Sequence, residues 1–363
     1  MIGVEKYGPD ICRCYGCSVG VIFFRMKDPN EMQIVGVHPL LGVPGGELVI
    51  DCRDFSPGLS SKVFFGDVEA FISSASGNRI IVRLPESPKC LGLTLKVDGT
   101  VSPVFPFNLA SRLTTNLHPV TNPVVAPDGS IITTISGSRG QQVAQPLIRV
   151  TKRGEKKPFH CEIMNPTGLA FSKDGQLYIS SRNDGTVLRF TDFEQLEVIA
   201  EDLGVPCGIV FDSKGLLYVG DRTGRIYRID SSGRKEEFVS LEPSISAYHL
   251  AIDSDDRLYV TGPTFSMRDC LHRFTPDGKA EVLIRGLARP QGMAFLPDGD
   301  LSISASFKGK KGIFKYSPKN SSLQHFMAAP ILVGLTIAGS DMYLATSSSI
   351  YQIPLPGPAA QMM

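Results

Sequence analysis

The chain has 363 residues, 42% of them hydrophobic, and its 37 basic and 36 acidic side chains leave a net charge of +1. That length exceeds one ordinary core, so two domains are expected. The near balance of charge disfavours nucleic-acid binding, which needs a concentrated positive surface to displace phosphate counterions. The 36 Gly and 26 Pro suit an all-β protein with many tight turns.

Residues 1–33 fit neither of the patterns that follow and are expected to be an extension without regular structure. They contain ICRCYGC, with thiols at Cys12, Cys14 and Cys17, and then the apolar run VGVIFF. Closely spaced thiols can hold zinc or an iron-sulfur cluster, but no fourth ligand follows at a suitable spacing. The run is too short to cross a bilayer, and the segment makes a poor signal peptide, so the chain as written is expected in the cytoplasm. A different true start would leave export open. Cys52, Cys90, Cys161, Cys207 and Cys270 are scattered across different units, as buried small hydrophobes rather than a disulfide framework would be.

Residues 34–109 read as short strands of alternating polarity, ELVIDC, KVFFG, EAFISS and RIIVRLP, separated by turn signals, which predicts a small antiparallel sandwich. The succession P-x-x-G-x-x-G-G, V-x-F-G and V-x-x-P resembles an immunoglobulin-like TIG (IPT) domain. That resemblance implies a spacer or interaction module and no chemistry.

Residues 110–363 are dominated by repetition. NPTGLAFSKDGQLYISS from Asn165, VPCGIVFDSKGLLYVGD from Val205, SAYHLAIDSDDRLYVTG from Ser246, RPQGMAFLPDGDLSISA from Arg289 and ILVGLTIAGSDMYLATS from Ile331 are variants of one phrase, stepping by 40, 41, 43 and 42 residues between Gly168, Gly208, His249, Gly292 and Gly334. A sixth copy, VTNPVVAPDGSIITTIS, begins upstream at Val120. Each copy predicts one four-stranded blade, and six blades predict a closed β-propeller in which neighbours cover each other's faces. The last copy is a strand short, and VSPVFPFNLASRL (101–113) is the natural donor. The expected fold is therefore all-β, an immunoglobulin-like sandwich followed by a six-bladed propeller.

The P-x-G-[LIM]-[AV]-F turns with their D-G-x-L-Y-[IV] followers resemble the family of gluconolactonase, senescence marker protein and luciferin-regenerating enzyme, and also NHL-type propellers. The lactonase resemblance implies a divalent cation held at the axis by a Glu, an Asn and an Asp. The corresponding turn positions here hold Thr121, Thr167, Cys207, Tyr248, Gln291 and Val333, none of them acidic, with Asn122 and Asn165 displaced along their turns as weak metal candidates. No cofactor is expected and calcium is disfavoured.

What the channel face offers instead is polar. His249 stands where other copies carry Gly, which suggests a side chain aimed at the axis, and the strand ends deliver Arg182, Asp221, Arg222 and Thr264 near Tyr248 and Gln291. Two arginines with His, Tyr and Gln could hold a carboxylate or sugar hydroxyls, and His249 with Tyr248 could serve as acid and base in a lyase. The arginines could equally be blade-to-blade structural pairs. A propeller binding a small anionic or carbohydrate-like molecule, or a protein loop, is the expected function; a rebuilt hydrolase or lyase is the alternative.

Overall fold

The computed structural model describes residues 4–7, 11–14, 32–58, 60–87, 90, 92–135, 143–159, 162–191, 195–266 and 268–355. Cys17, His160 and Cys161 fall outside them. The described residues form strands and turns without a helix, so none contains a helix long and apolar enough to cross a membrane. In the N-terminal extension, Val4–Tyr7 and Ile11–Cys14 pair as an antiparallel hairpin.

The next unit is a seven-stranded antiparallel sheet in the order Thr100–Val101, Leu93–Val97, Lys62–Phe65, Val68–Ala75, Arg79–Arg83, Glu47–Arg53, Gln33–His38. Val68–Ala75 hands the sheet over. Its first residues pair with Lys62–Phe65 and its last with Arg79–Arg83. Residues of both halves share one core, Leu48, Ile50, Ile80 and Val82 from one, Val63, Phe65, Leu93 and Leu95 from the other, each without exposed surface. Period-two alternation produces this: Glu47–Arg53 buries Leu48, Ile50 and Cys52 while turning Glu47 and Arg53 to solvent.

The remaining chain is a β-propeller arrangement. Among the described residues, five four-stranded sheets are its blades, four of them antiparallel meanders of consecutive strands, beginning at Val124, Pro166, Pro206 and His249. The fifth unites the last three strands, Gly334–Ala338, Asp341–Ala345 and Ser349–Pro354, with Ser111–Thr115. Closure thus uses the predicted region, shifted to its C-terminal end. The repeat that starts at Arg289 supplies another meander, Met293–Phe295, Leu301–Phe307, Lys310–Ser317 and Ser322–Ala328, widened by two short strands from the N-terminal unit: Leu41–Gly42 pairs parallel to Met327–Ala328, and Asn108–Leu109 parallel to Leu41–Gly42.

Repetition becomes geometry at two places. The D-G turns, and the corresponding Lys214-Gly215 turn, put Gly129, Gly175, Gly215 and Gly299 at φ between 79° and 86°, where a Cβ is strained; Asp256 takes that place in the fourth repeat at φ 58° and accepts hydrogen bonds from Ser213 N–H and Oγ–H across to the preceding repeat. The Tyr of the second strand then meets the Phe of the next first strand edge-on, Tyr178 on Phe211 and Tyr259 on Phe295, with ring centroids 4.9 and 5.1 Å apart.

Candidate functional site

The inner strands approach each other so closely that glycine is required between them. A Cβ on Gly168 would lie 2.1 Å from the Cys207 carbonyl oxygen, on Gly208 2.5 Å from that of Tyr248, on Gly292 2.8 Å from Gly334 Cα, and on Gly334 2.5 Å from Asn122 Cα. The series includes the step from the last repeat back to the first. The backbone at Asn122 stands where most of the other repeats place their glycine, one residue after Thr121, in keeping with the spacing of the copies. Its Oδ1 accepts the Leu335 N–H at 3.1 Å, so the amide is a clasp across the closure.

Asn165, the other metal candidate, is 6% exposed and has φ 51°, a left-handed conformation that Asn tolerates at the lead-in to its strand. Its Oδ1 is buried without a hydrogen-bond partner. No group of three or more His, Cys, Asp or Glu is gathered as a metal site would need, among the described residues.

Asp221 is 1% exposed. Its Oδ1 accepts the backbone N–H groups of Val205, at 2.8 Å, and Thr223, at 3.1 Å, while its Oδ2 accepts the Thr223 hydroxyl. It holds the turn after its own strand against the loop leading into the first strand of the same meander, Pro206–Phe211. One repeat on, Asp269 accepts Thr264 N–H, Thr264 Oγ–H and Arg289 N–H.

The sequence places Tyr248 and His249 toward a ligand, but the structure leaves each only 3% exposed. Tyr248 lies among Tyr218, Ile226, Leu250 and Val260, its hydroxyl donating to the Glu242 carbonyl, and burial raises its pKa. His249 faces Gln291 of the following repeat, the hydrogen-bond partner of its ring, while Nε2 has none. Tyr248 thus packs between the third and fourth repeats, and the His249 ring is covered. Cys207, at the same turn position as Tyr248, is likewise buried, its thiol pushed up to about 12.

Burial holds His249 neutral, its pKa lowered from 6.5 to about 4. The unfolded chain therefore takes up this proton first, and stability that is full above about pH 6.5 is lost as pH falls toward 4, by about 2 kcal/mol at pH 5. A His249→Gln variant is expected to lose less of its melting temperature than wild type between pH 7 and pH 5. Equal losses would show that His249 is not the buried base described.

The other predicted residues stay nearer the surface. Arg182 and Gln291 are half-buried, the former's backbone N–H directed to Asn165 O at 3.4 Å, and Arg222 is exposed. Between Arg222 and Thr264 runs the loop from Leu241 to Ala247, fastened on both sides: Ser244 N–H donates to Arg222 O at 2.8 Å, Ser244 Oγ–H to Pro263 O at 2.8 Å, and Ile245 N–H to Pro263 O at 2.9 Å. Ser244 also forms an isolated bridge with Thr264. This knot presents two large apolar side chains to solvent, Ile245 at 41% and Phe265 at 77% exposure. Neither was singled out by the repeat pattern, although an aromatic residue inside the polar turn TGPTFSMRD was a visible signal.

A family model described as strictosidine synthase-like, N-terminal, matches residues 191–229, from the end of one meander through three strands of the next. No curated protein matches the chain. Among solved structures, the chain is similar to a candidate gluconolactonase, with 17% identity, 68% of this chain and 91% of that one covered, and a TM-score of 0.55. A structural-genomics protein of unknown function from Bacteroides thetaiotaomicron matches at 15% identity over 90% of this chain and 99% of its own, with a TM-score of 0.54. A catalytically inactive virginiamycin B lyase from Staphylococcus aureus with quinupristin matches at 17% identity over 85% and 100%, with a TM-score of 0.50. At these identities the likeness is one of fold.

Proposed function

We propose that this chain is a ligand-binding β-propeller. The six-stranded sheet is read as a sixth blade widened by two foreign strands, and the seven-stranded unit, residues 34–109, as an immunoglobulin-like sandwich of TIG type. Recognition is assigned to the loop face over the third and fourth repeats, where Arg222 and Thr264 flank Ile245 and Phe265, with Arg182 and Gln291 on the same face. The observation that carries this reading is the loop knot at Ser244: a backbone held from both sides keeps exposed apolar side chains beside a cation, which lowers the ordering cost of binding. A small molecule with an apolar ring face and a carboxylate or hydroxyl groups fits that surface, the guanidinium taking the anion and Phe265 the ring.

The hydrolase or lyase alternative has less support, since Tyr248 and His249 are packed in and Asn122 and Asp221 are engaged by backbone N–H groups. Calorimetric titration with sugar acids, gluconate and glucuronate, beside neutral glucose tests the proposal. Phe265→Ala and Arg222→Ala are each expected to weaken sugar-acid binding about tenfold or more, the loss of one good contact. Unchanged affinity in both variants, or lactone turnover that a chelator abolishes, would overturn it.

A further inference from the structure

We propose a second site, distinct from the loop face: the cleft between the N-terminal unit and the fifth repeat binds an organic anion with an apolar body. Two adjoining cavities of about 430 and 720 Å³ share His38, Lys310 and His325 in their walls. Volumes in this range suit a small-molecule site, and junctions between folded units are where such sites are commonly found.

The walls are fixed in place. Leu41–Gly42 and Asn108–Leu109 continue the sheet of the fifth repeat as parallel strands, and Val43 N–H donates to Ala328 O at 2.8 Å. A Cβ on Gly46 would come within 2.7 Å of the Ala328 and Ala329 backbone, so the two units touch main chain to main chain. The cleft is therefore a preformed concavity rather than a gap between loosely tethered bodies.

Its charge is one-sided. Arg83 projects from the N-terminal wall, and Lys310 and Lys311 from the tight turn at Lys308 and Gly309 opposite. All three are exposed, and none forms an ion pair among the described residues. Lys315, in the larger cavity, is by contrast neutralised by Asp300 at 3.0 Å and Asp298 at 3.5 Å. Glu47 is the acidic residue in the smaller cavity, on the strand position opposite Arg83, and it offsets one of the three cations. Net positive charge in a concave site with low-dielectric walls attracts and holds an anion. Three cations are too few for a nucleic-acid track, and the walls between them are apolar, formed by Val49, Ile81, Pro330 and Ile331.

The test uses the full chain and 8-anilinonaphthalene-1-sulfonate, which carries one sulfonate on an apolar body, beside its uncharged relative N-phenyl-1-naphthylamine. In an Arg222→Gln background, which removes the anion contact proposed on the loop face, one saturable site is expected for the sulfonate, with binding at least tenfold weaker for the uncharged compound. A combined Arg83→Gln, Lys310→Gln, Lys311→Gln variant is expected to lose affinity tenfold or more at an unchanged melting temperature, because all three side chains stand in solvent. Arg153→Gln, on the exposed turn between Leu147–Val150 and Lys156–Phe159 of the first repeat, is expected to leave the affinity as it was. The proposal is overturned by absence of saturable binding, by equal affinity for the two compounds, by a triple variant that binds as its parent does, or by an equal loss in Arg153→Gln.

Discussion

Gly334→Val is expected to prevent the ring from shutting. A Cβ at this position would stand 2.5 Å from both Cα and N of Asn122 and 2.6 Å from the Thr121 carbonyl carbon, and all three are backbone atoms of the first repeat. Backbone cannot swing aside as a side-chain end can, so the last blade must move away from the first. That movement would break the bond from Leu335 N–H to Asn122 Oδ1. Overpacking against backbone stands at the upper end of the usual range, about 3 kcal/mol, and for a unit of roughly 250 residues each kcal/mol lowers the melting temperature by about 2–4 °C. A fall of about 6–12 °C, or recovery of the protein only as aggregate, is the expected result of thermal unfolding. A melting temperature within 2 °C of wild type would show that the first and last repeats do not meet as described.

Val43→Asp should damage both folded units at once. Val43 has no exposed surface and packs with Leu41, Ile313, Met327 and Leu332, where the N-terminal unit enters the core of the fifth repeat. A carboxylate there finds no cation among those neighbours, and an unpaired buried charge costs about 4 kcal/mol or more. The penalty should shrink as pH falls, because the introduced carboxyl can become neutral. Differential scanning calorimetry at pH 7 and pH 5 reads both effects. If the two units were merely tethered, the variant would melt like wild type, and that outcome would also remove the rigid walls on which the anion cleft depends.

The blades were legible because each repeat carries its own punctuation. Gly168, Gly208, Gly292 and Gly334 mark backbone contacts, and Gly175, Gly215 and Gly299 mark left-handed turns, so the period is a direct record of geometry. The two-residue strands Leu41–Gly42 and Asn108–Leu109 were illegible for the opposite reason: a pairing so short has no periodicity, and its partner Met327–Ala328 lies far along the chain. The site was harder still. Asp221 and Thr264 belong to types that contact ligands, but sequence does not say whether a carboxylate faces solvent or the N–H groups of Val205 and Thr223. His249 could be singled out as an exception to the glycine rule, yet the direction of its side chain depends on how closely the neighbouring strands sit.

The strand that shuts the ring has a consequence for synthesis. Ser111–Thr115 pairs with Ser349–Pro354, and Thr115 Oγ1 accepts a hydrogen bond from Ser349 Oγ–H across 234 positions of chain. Until those last residues leave the ribosome, every earlier repeat exists as an open arc with one bare sheet face at each end. Contacts over such separations form slowly, and uncovered strand edges recruit other chains meanwhile. Because the N-terminal unit seats Leu41–Gly42 on the fifth repeat, the closing strand is carried into the neighbourhood of the final blade before that blade is complete. The same two residues that widen a sheet in the finished molecule shorten the search that finishes it.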